Sequence, residues 1–157
     1  MTEERDPAYQ AALRLTPLAR RLLPVLTASG PLYPVTEGIL PGVIASWAEE
    51  ARSAAQAVPC PAEAAIRRFR NRALLAIMAR DLSGRADLEE NLSGLSALAE
   101  QCAQWAYSAA LAEAMERHGR PIGRSGEPVD LLIVGMGQLG GCELNASSDI
   151  TLVYLLR

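Results

Sequence analysis

The sequence predicts a mainly α-helical chain that changes character once: a helical region over residues 1–120, then, over 121–157, a strand, a turn, a short helix and a second strand that open an α+β unit. Two observations carry this. Up to Gly119 the apolar side chains recur at intervals of three and four between breaks rich in proline and glycine. Beyond it stand two apolar runs of strand length, separated by a cluster of glycines and small polar residues.

Over Pro7–Leu26, Leu13, Leu18, Leu22 and Leu26 alternate with Arg14, Arg20 and Arg21 as on an amphipathic helix. Pro17 should bend or split it, because proline lacks an N–H and clashes with the preceding turn. Residues 27–36 are a loop by composition, and Gly38, Pro41 and Gly42 continue the interruption. A second helix follows from about Gly42 to Ala57 and is stopped by Val58-Pro59-Cys60-Pro61. Pro61 suits the first position of a third helix, which runs to about Leu82 and ends at Ser83-Gly84. Its apolar stripe is Ile66, Phe69, Ala73 and Ile77, while Arg67, Arg68, Arg70, Arg72 and Arg80 occupy much of the rest. The plain reading of five arginines is a solvated face with some of them paired to acids elsewhere; phosphate sites favour helix N-termini and convergent donors. Asp87-Leu88-Glu89-Glu90 has the spacing of a capping box. Leu95, Leu98, Cys102, Trp105, Ala109 and Ala112 then form a narrow, small-sided seam suited to close helix packing. His118 stands beside Gly119 at the helix end, where a histidine commonly caps carbonyls, and no second histidine accompanies it as a ligand.

Half of the 157 residues are hydrophobic, enough for one modest domain with a core. A net charge of minus three and a pI near 5.2 argue against holding nucleic acid by bulk electrostatics, so any basic site must be local. Apolar runs such as Val129–Met136 fall far below the ~18 residues of a membrane span. The opening MTEERDPAYQ lacks the basic-then-apolar order of a signal peptide. The expectation is a cytoplasmic protein with neither nucleic acid nor a membrane as partner. Cys60, Cys102 and Cys142 are odd in number and never in C-x-x-C, which points to free thiols rather than a disulfide or zinc framework.

The glycine cluster carries the functional question. Gly135-Met136-Gly137-Gln138-Leu139-Gly140 fits G-x-G-x-x-G, but a dinucleotide-binding unit needs about 30 residues, with a crossover helix and an acid about 20 residues on. Only Leu139–Ser148 separate the turn from the next strand, too little for a crossover. No Gly-Lys-Ser/Thr follows, so a Walker A loop fails as well. Gly140-Gly141, a short helical segment and Ser148-Asp149 leading into an apolar strand suit nucleotidyl transfer better. There a helix N-terminus offers N–H groups to phosphates, and carboxylates at alternate strand positions bridge two metal ions about 4 Å apart.

The run from Gly135 to Ile150 resembles the motif of the bifunctional glutamine synthetase adenylyltransferase/adenylyl-removing enzymes, members of the polymerase-beta-like nucleotidyltransferase superfamily. Arg68-Phe69-Arg70, Arg80-Asp81-Leu82, Leu95-Ser96 and Leu98-Ala99 resemble, in the same order, the helical region that precedes the family's first nucleotidyltransferase domain. The resemblance spans roughly residues 65–157. It implies that 121–157 is the start of a nucleotidyltransferase-like α+β domain, truncated at Arg157. Family members are far longer and carry two such domains. One removes AMP from a tyrosine of glutamine synthetase by phosphorolysis, giving ADP, and the other attaches AMP from ATP. The resemblance further implies Mg²⁺ as cofactor, ATP, ADP and phosphate as substrates, and glutamine synthetase and the PII signalling protein as partners. It makes Asp149 the catalytic residue and metal ligand, and Gly140, Gly141 and Ser148 the contacts to nucleotide phosphate.

The departures matter. The family usually has Lys where Gln138 stands, Arg or Gly where Cys142 stands, and Asp-x-Asp where this chain has Asp149-Ile150-Thr151. A hydroxyl is a poor substitute for a bridging carboxylate at a hard divalent cation. Weak Mg²⁺ binding and negligible catalysis are therefore expected, and a two-stranded sheet would be marginal with open edges. Ser148 either contacts phosphate or caps the turn before the strand. Glu143 either faces the site or is an acid placed favourably in the first turn of a short helix. Cys142 reads as a passive small residue. Three functions are carried forward: a catalytically impaired part of such an enzyme, a non-catalytic helical module docking glutamine synthetase or PII, and an unrelated nucleotide-binding protein of Rossmann type.

Overall fold

Pro17 splits the first predicted helix. In the computed structural model, which describes residues 3–124 and 126–156, a short turn at Glu3–Arg5 leads into α1 (Pro7–Leu15) and α2 (Pro17–Ala28). Thr16 between them is extended and caps both helices. Its N–H donates to Ala12 O to close α1, and its hydroxyl accepts from the Leu18 N–H to open α2. Asp6 accepts from the Ala8 N–H at the start of α1. Then come α3 (Pro41–Ala57), α4 (Ala62–Leu82) and α5 (Leu88–His118). Pro41 is the first residue of α3, while Pro61 caps α4 from outside instead of opening it.

α4 is the axis of the bundle, packed against α1, α2, α3 and α5. Residues 73–77 are buried on every side, as a central helix requires, and Ala73, Ala76 and Ala79 let its neighbours approach closely. Phe69 meets the Trp105 ring of α5 at 6.2 Å between centroids. Of the predicted seam of α5, Leu95, Leu98 and Trp105 are buried, Cys102 and Ala109 half-buried and Ala112 exposed. The helix outruns the bundle.

Residues 29–40 have no regular structure, as composition suggests, yet they are not a surface loop. Leu32, Val35 and Ile39 lie in the core, and Tyr33 stacks on Trp47 with centroids 4.1 Å apart. Tyr9 Oη donates to Tyr33 O at 2.7 Å, and burial pushes both phenols up, Tyr33 to about 12. A Cβ at Gly94 would stand 3.1 Å from Ile39 O, so a glycine inside α5 is what lets this segment lie against the helix.

The capping box forms only by half. Asp87 Oδ1 accepts from the Glu90 N–H at 2.8 Å, but the Glu90 carboxylate does not reach back. It takes the buried Arg80 guanidinium instead, Nε to Oε1 at 2.6 Å and Nη2 to Oε2 at 3.0 Å, and accepts from the Ile39 N–H at 3.0 Å. A two-point bond to a charged donor is stronger than one to a neutral N–H. Arg80 also donates to Val35 O and Arg85 O, and Arg85 pairs with Asp6 at 2.8 Å. This chain of bonds ties α1, the 29–40 segment, α4 and α5 together. At the far end of α5, Gly119 at φ +79 donates to Met115 O and closes the helix, while His118 is exposed.

After α5 the chain enters β1 (Leu131–Met136), α6 (Gly137–Gly140) and β2 (Thr151–Leu156). β1 and β2 pair antiparallel in register from Leu131↔Leu156 to Met136↔Thr151. That orientation overturns the Rossmann-type reading, which needs parallel strands and a crossover. Leu139 and Leu144, between the strands, are the buried anchors that join this hairpin to the helical core. The Leu131 N–H donates to the Tyr107 hydroxyl of α5 at 3.3 Å.

Candidate functional site

The glycine turn is shaped by close packing. A Cβ at Gly135 would lie 2.9 Å from the Leu139 side chain, and one at Gly140 would lie 2.6 Å from Gly135 O, so the turn folds directly back over β1. The short helix lies before Gly141, not after Gly140-Gly141 as predicted, because Gly137 takes φ +57 and starts the turn three residues early. This separates the two glycines. Gly140 ends α6, four residues after the N-cap Met136, whose carbonyl is the helical acceptor for its N–H. The N–H groups of Gly141, Cys142 and Glu143 are already spent on Gly137 O, Leu139 O and Gln138 O, at 3.0, 3.2 and 2.7 Å. Glu143 therefore follows the helix instead of opening it. Cys142 holds φ +56, a left-handed conformation that a side chain disfavours and a glycine tolerates.

Ser148 is half-buried, and its Oγ accepts from the Asn145 N–H at 3.0 Å while its N–H donates to Asn145 O at 3.0 Å. Asn145 Oδ1 in turn accepts from the Ser147 N–H and hydroxyl. Ser148 closes this turn, one of its two predicted roles, and retains its O–H for a further acceptor. Asp149 is exposed and has no ion pair among the described residues. Thr151 begins β2 opposite Met136. The residues do not fit a two-metal centre: Asp149 offers one carboxylate, Thr151 a neutral hydroxyl, and among the described residues no three His, Cys, Asp or Glu side chains gather.

A groove of about 720 Å³ lies between the hairpin and the helices. Strand alternation turns Leu131, Ile133, Leu152 and Tyr154 toward it, and Leu98 and Cys102 of α5 face them. Ser148 and Asp149 line it from the loop, and Arg70 from α4. Burial pushes the Cys102 thiol up to about 11, so this sulfur is apolar lining and not a nucleophile. The opposite sheet face carries Leu132, Met136, Val153 and Leu155, all exposed. Sequence reading missed the groove and Arg70's place on it. The arginine was visible in the helix pattern, but the hairpin wall was not.

Helices leading through a glycine turn into a strand preceded by Ser-Asp keep the order that the resemblance to nucleotidyltransferases implies. Comparison with known proteins gives the narrower answer. Residues 38–157 match the family model described as glutamate-ammonia ligase adenylyltransferase, and the chain belongs to that family. It is 39% identical over 159 residues to the bifunctional glutamine synthetase adenylyltransferase/adenylyl-removing enzyme of Bordetella pertussis, covering 95% of this chain and 16% of that protein. The enzyme of the same name from Stenotrophomonas maltophilia is 35% identical over 160 residues, 96% of this chain and 17% of that protein. The one from Pseudomonas aeruginosa is 49% identical over 90 residues, 57% of this chain and 9% of that protein. The chain thus spans about a sixth of the length of the first two relatives. Among the described residues no helix is long and apolar enough to cross a membrane.

Proposed function

We propose that the chain supplies the helical region, to about residue 120, and the opening strands of the AMP-removing domain of an enzyme that controls glutamine synthetase. Such an enzyme adds AMP to a tyrosine and removes it by phosphorolysis. In this reading Asp149, in the loop two residues before β2, is the catalytic carboxylate and the one carboxylate that would hold Mg²⁺, and Gly140, Gly141 and Ser148 approach the nucleotide phosphates. Ser148 would use its O–H, and Gly140 and Gly141 only their lack of a side chain. The observation that carries the second half of the proposal is Asp149-Ile150-Thr151: one carboxylate and one hydroxyl where a metal pair needs two charges. The chain by itself is therefore catalytically impaired. The same reading implies a cytoplasmic protein whose partners are glutamine synthetase and the PII signalling protein, with ATP, ADP and phosphate as small ligands.

Purified chain, AMP-modified glutamine synthetase, phosphate and Mg²⁺ are combined and ADP release is followed, with Asp149→Ala alongside. The expected result is no release above the Asp149→Ala background. Release that disappears in Asp149→Ala refutes the impairment. A second reading, a non-catalytic module that docks glutamine synthetase or PII, is favoured by one feature. The helices and the 29–40 segment supply most of the core, whereas the hairpin leaves one face bare. Retention of the chain on immobilised glutamine synthetase without turnover supports it.

A further inference from the structure

The five arginines of α4 divide by partner. Arg80 is bound to Glu90, Arg72 donates to Leu26 O and Ser29 Oγ at the end of α2, and Arg68 reaches Cys60 Sγ. Arg67 and Arg70 remain exposed, three residues apart and so on one face of the helix. α2 brings Arg21 to the same place. The three line a cleft of about 630 Å³ between α2 and α4, with Leu22, Ile66 and Leu74 as its apolar lining and Glu63 as its one acid. Among the described residues none of these guanidinium groups lies within 4.0 Å of a carboxylate, and only Arg70 makes a side-chain hydrogen bond, to Asn71 Oδ1 at 3.2 Å.

Three guanidinium groups lining one cleft with no carboxylate within 4.0 Å, in a chain whose net charge is minus three, make a local positive potential that favours an anion among them. Guanidinium groups bind phosphate oxygens two at a time, and an apolar wall beside them strengthens each contact. The size is that of a small-molecule site. We propose that Arg21, Arg67 and Arg70 form a binding site for a small phosphate-bearing anion, either inorganic phosphate or the polyphosphate of a nucleotide. The cleft shares Arg70 and Ala146 with the groove that Ser148 and Asp149 line, so an anion held here stands at the mouth of that groove. The site stands apart from the adenylyl-transfer reading, because it needs neither a metal nor Asp149.

Calorimetric titration of the full chain with phosphate, pyrophosphate and ATP at constant ionic strength tests this. Arg67→Gln and Arg70→Gln should each weaken pyrophosphate binding by about tenfold, with melting temperature unchanged because both side chains are exposed. Arg120→Gln, which removes the same charge from an exposed position past α5, should change it by less than about twofold. Asp149→Ala should leave binding intact. ATP binding well above pyrophosphate assigns the site to a nucleotide, and equal binding assigns it to phosphate alone. No saturable binding, an equal loss in Arg120→Gln, or a loss confined to Ser148→Ala overturns the proposal.

Discussion

Removing the Glu90 carboxylate tests the account of what holds the helices together. Glu90→Ala leaves the Arg80 guanidinium, 7% exposed, without its counter-charge and strips the Ile39 N–H of its acceptor. Losing one partner of a buried pair costs about 3–5 kcal/mol. The Glu90 side chain is 15% exposed, so water reaches the carboxylate, which favours the lower figure, about 3 kcal/mol. In a chain of this size each kcal/mol moves the melting temperature by about 2–4 °C, which makes the expected fall about 6–12 °C. Glu90→Gln keeps an oxygen acceptor and should fall less. Thermal unfolding followed by helical circular dichroism is the assay. If Glu90→Ala melts within about 2 °C of the wild type, the pair is not the tie described here.

Arg80 holds the Glu90 carboxyl below its ordinary value of 4.5, chiefly by hydrogen bonding. A carboxylate with a lower pKa folded than unfolded stabilises at higher pH and loses that contribution as pH falls through the folded value. Urea unfolding should therefore show stability declining below pH 4.5, less steeply in Glu90→Gln than in the wild type. Gly140→Ala puts a methyl 2.6 Å from Gly135 O, whereas Gly141→Ala meets nothing nearer than 3.5 Å. The first should cost about 1–3 kcal/mol and speed amide exchange across β1 and β2, while the second leaves exchange nearly unchanged. With a disulfide reagent at mildly alkaline pH, exposed Cys142 should react more than about tenfold faster than Cys102, whose thiol burial pushes up to about 11. Equal rates would mean that the groove is open around Cys102.

Much of the architecture is local and was therefore legible. Pro17 divides a helix because its ring forbids the preceding turn, and the Leu-rich and Ala-rich stripes have helical spacing whatever lies beside them. The glycine run could be recognised for the same reason, since its residues are consecutive and its turn is set by their backbone freedom. The position of α6 was misread because the pattern G-G suggests where a helix opens, while the close approach of Gly140 to Gly135 O decides where it must close. Leu32, Val35 and Ile39 were hidden among prolines and glycines that mark irregular backbone but do not tell whether it is buried.

By itself, then, the sequence determined which segments are helices, where the chain turns to strands, and that Thr151 follows Asp149-Ile150 where the resemblance implies a second carboxylate. Only the tertiary structure decided that Glu90 leaves its capping box for Arg80, that Asp6 meets Arg85 across 79 residues, and that Arg21 joins Arg67 and Arg70 over one cleft. The physical reason is separation: periodicity and capping act over one helical turn, whereas a charge finds its partner only when packing has brought distant segments within a few ångströms and excluded the water between them.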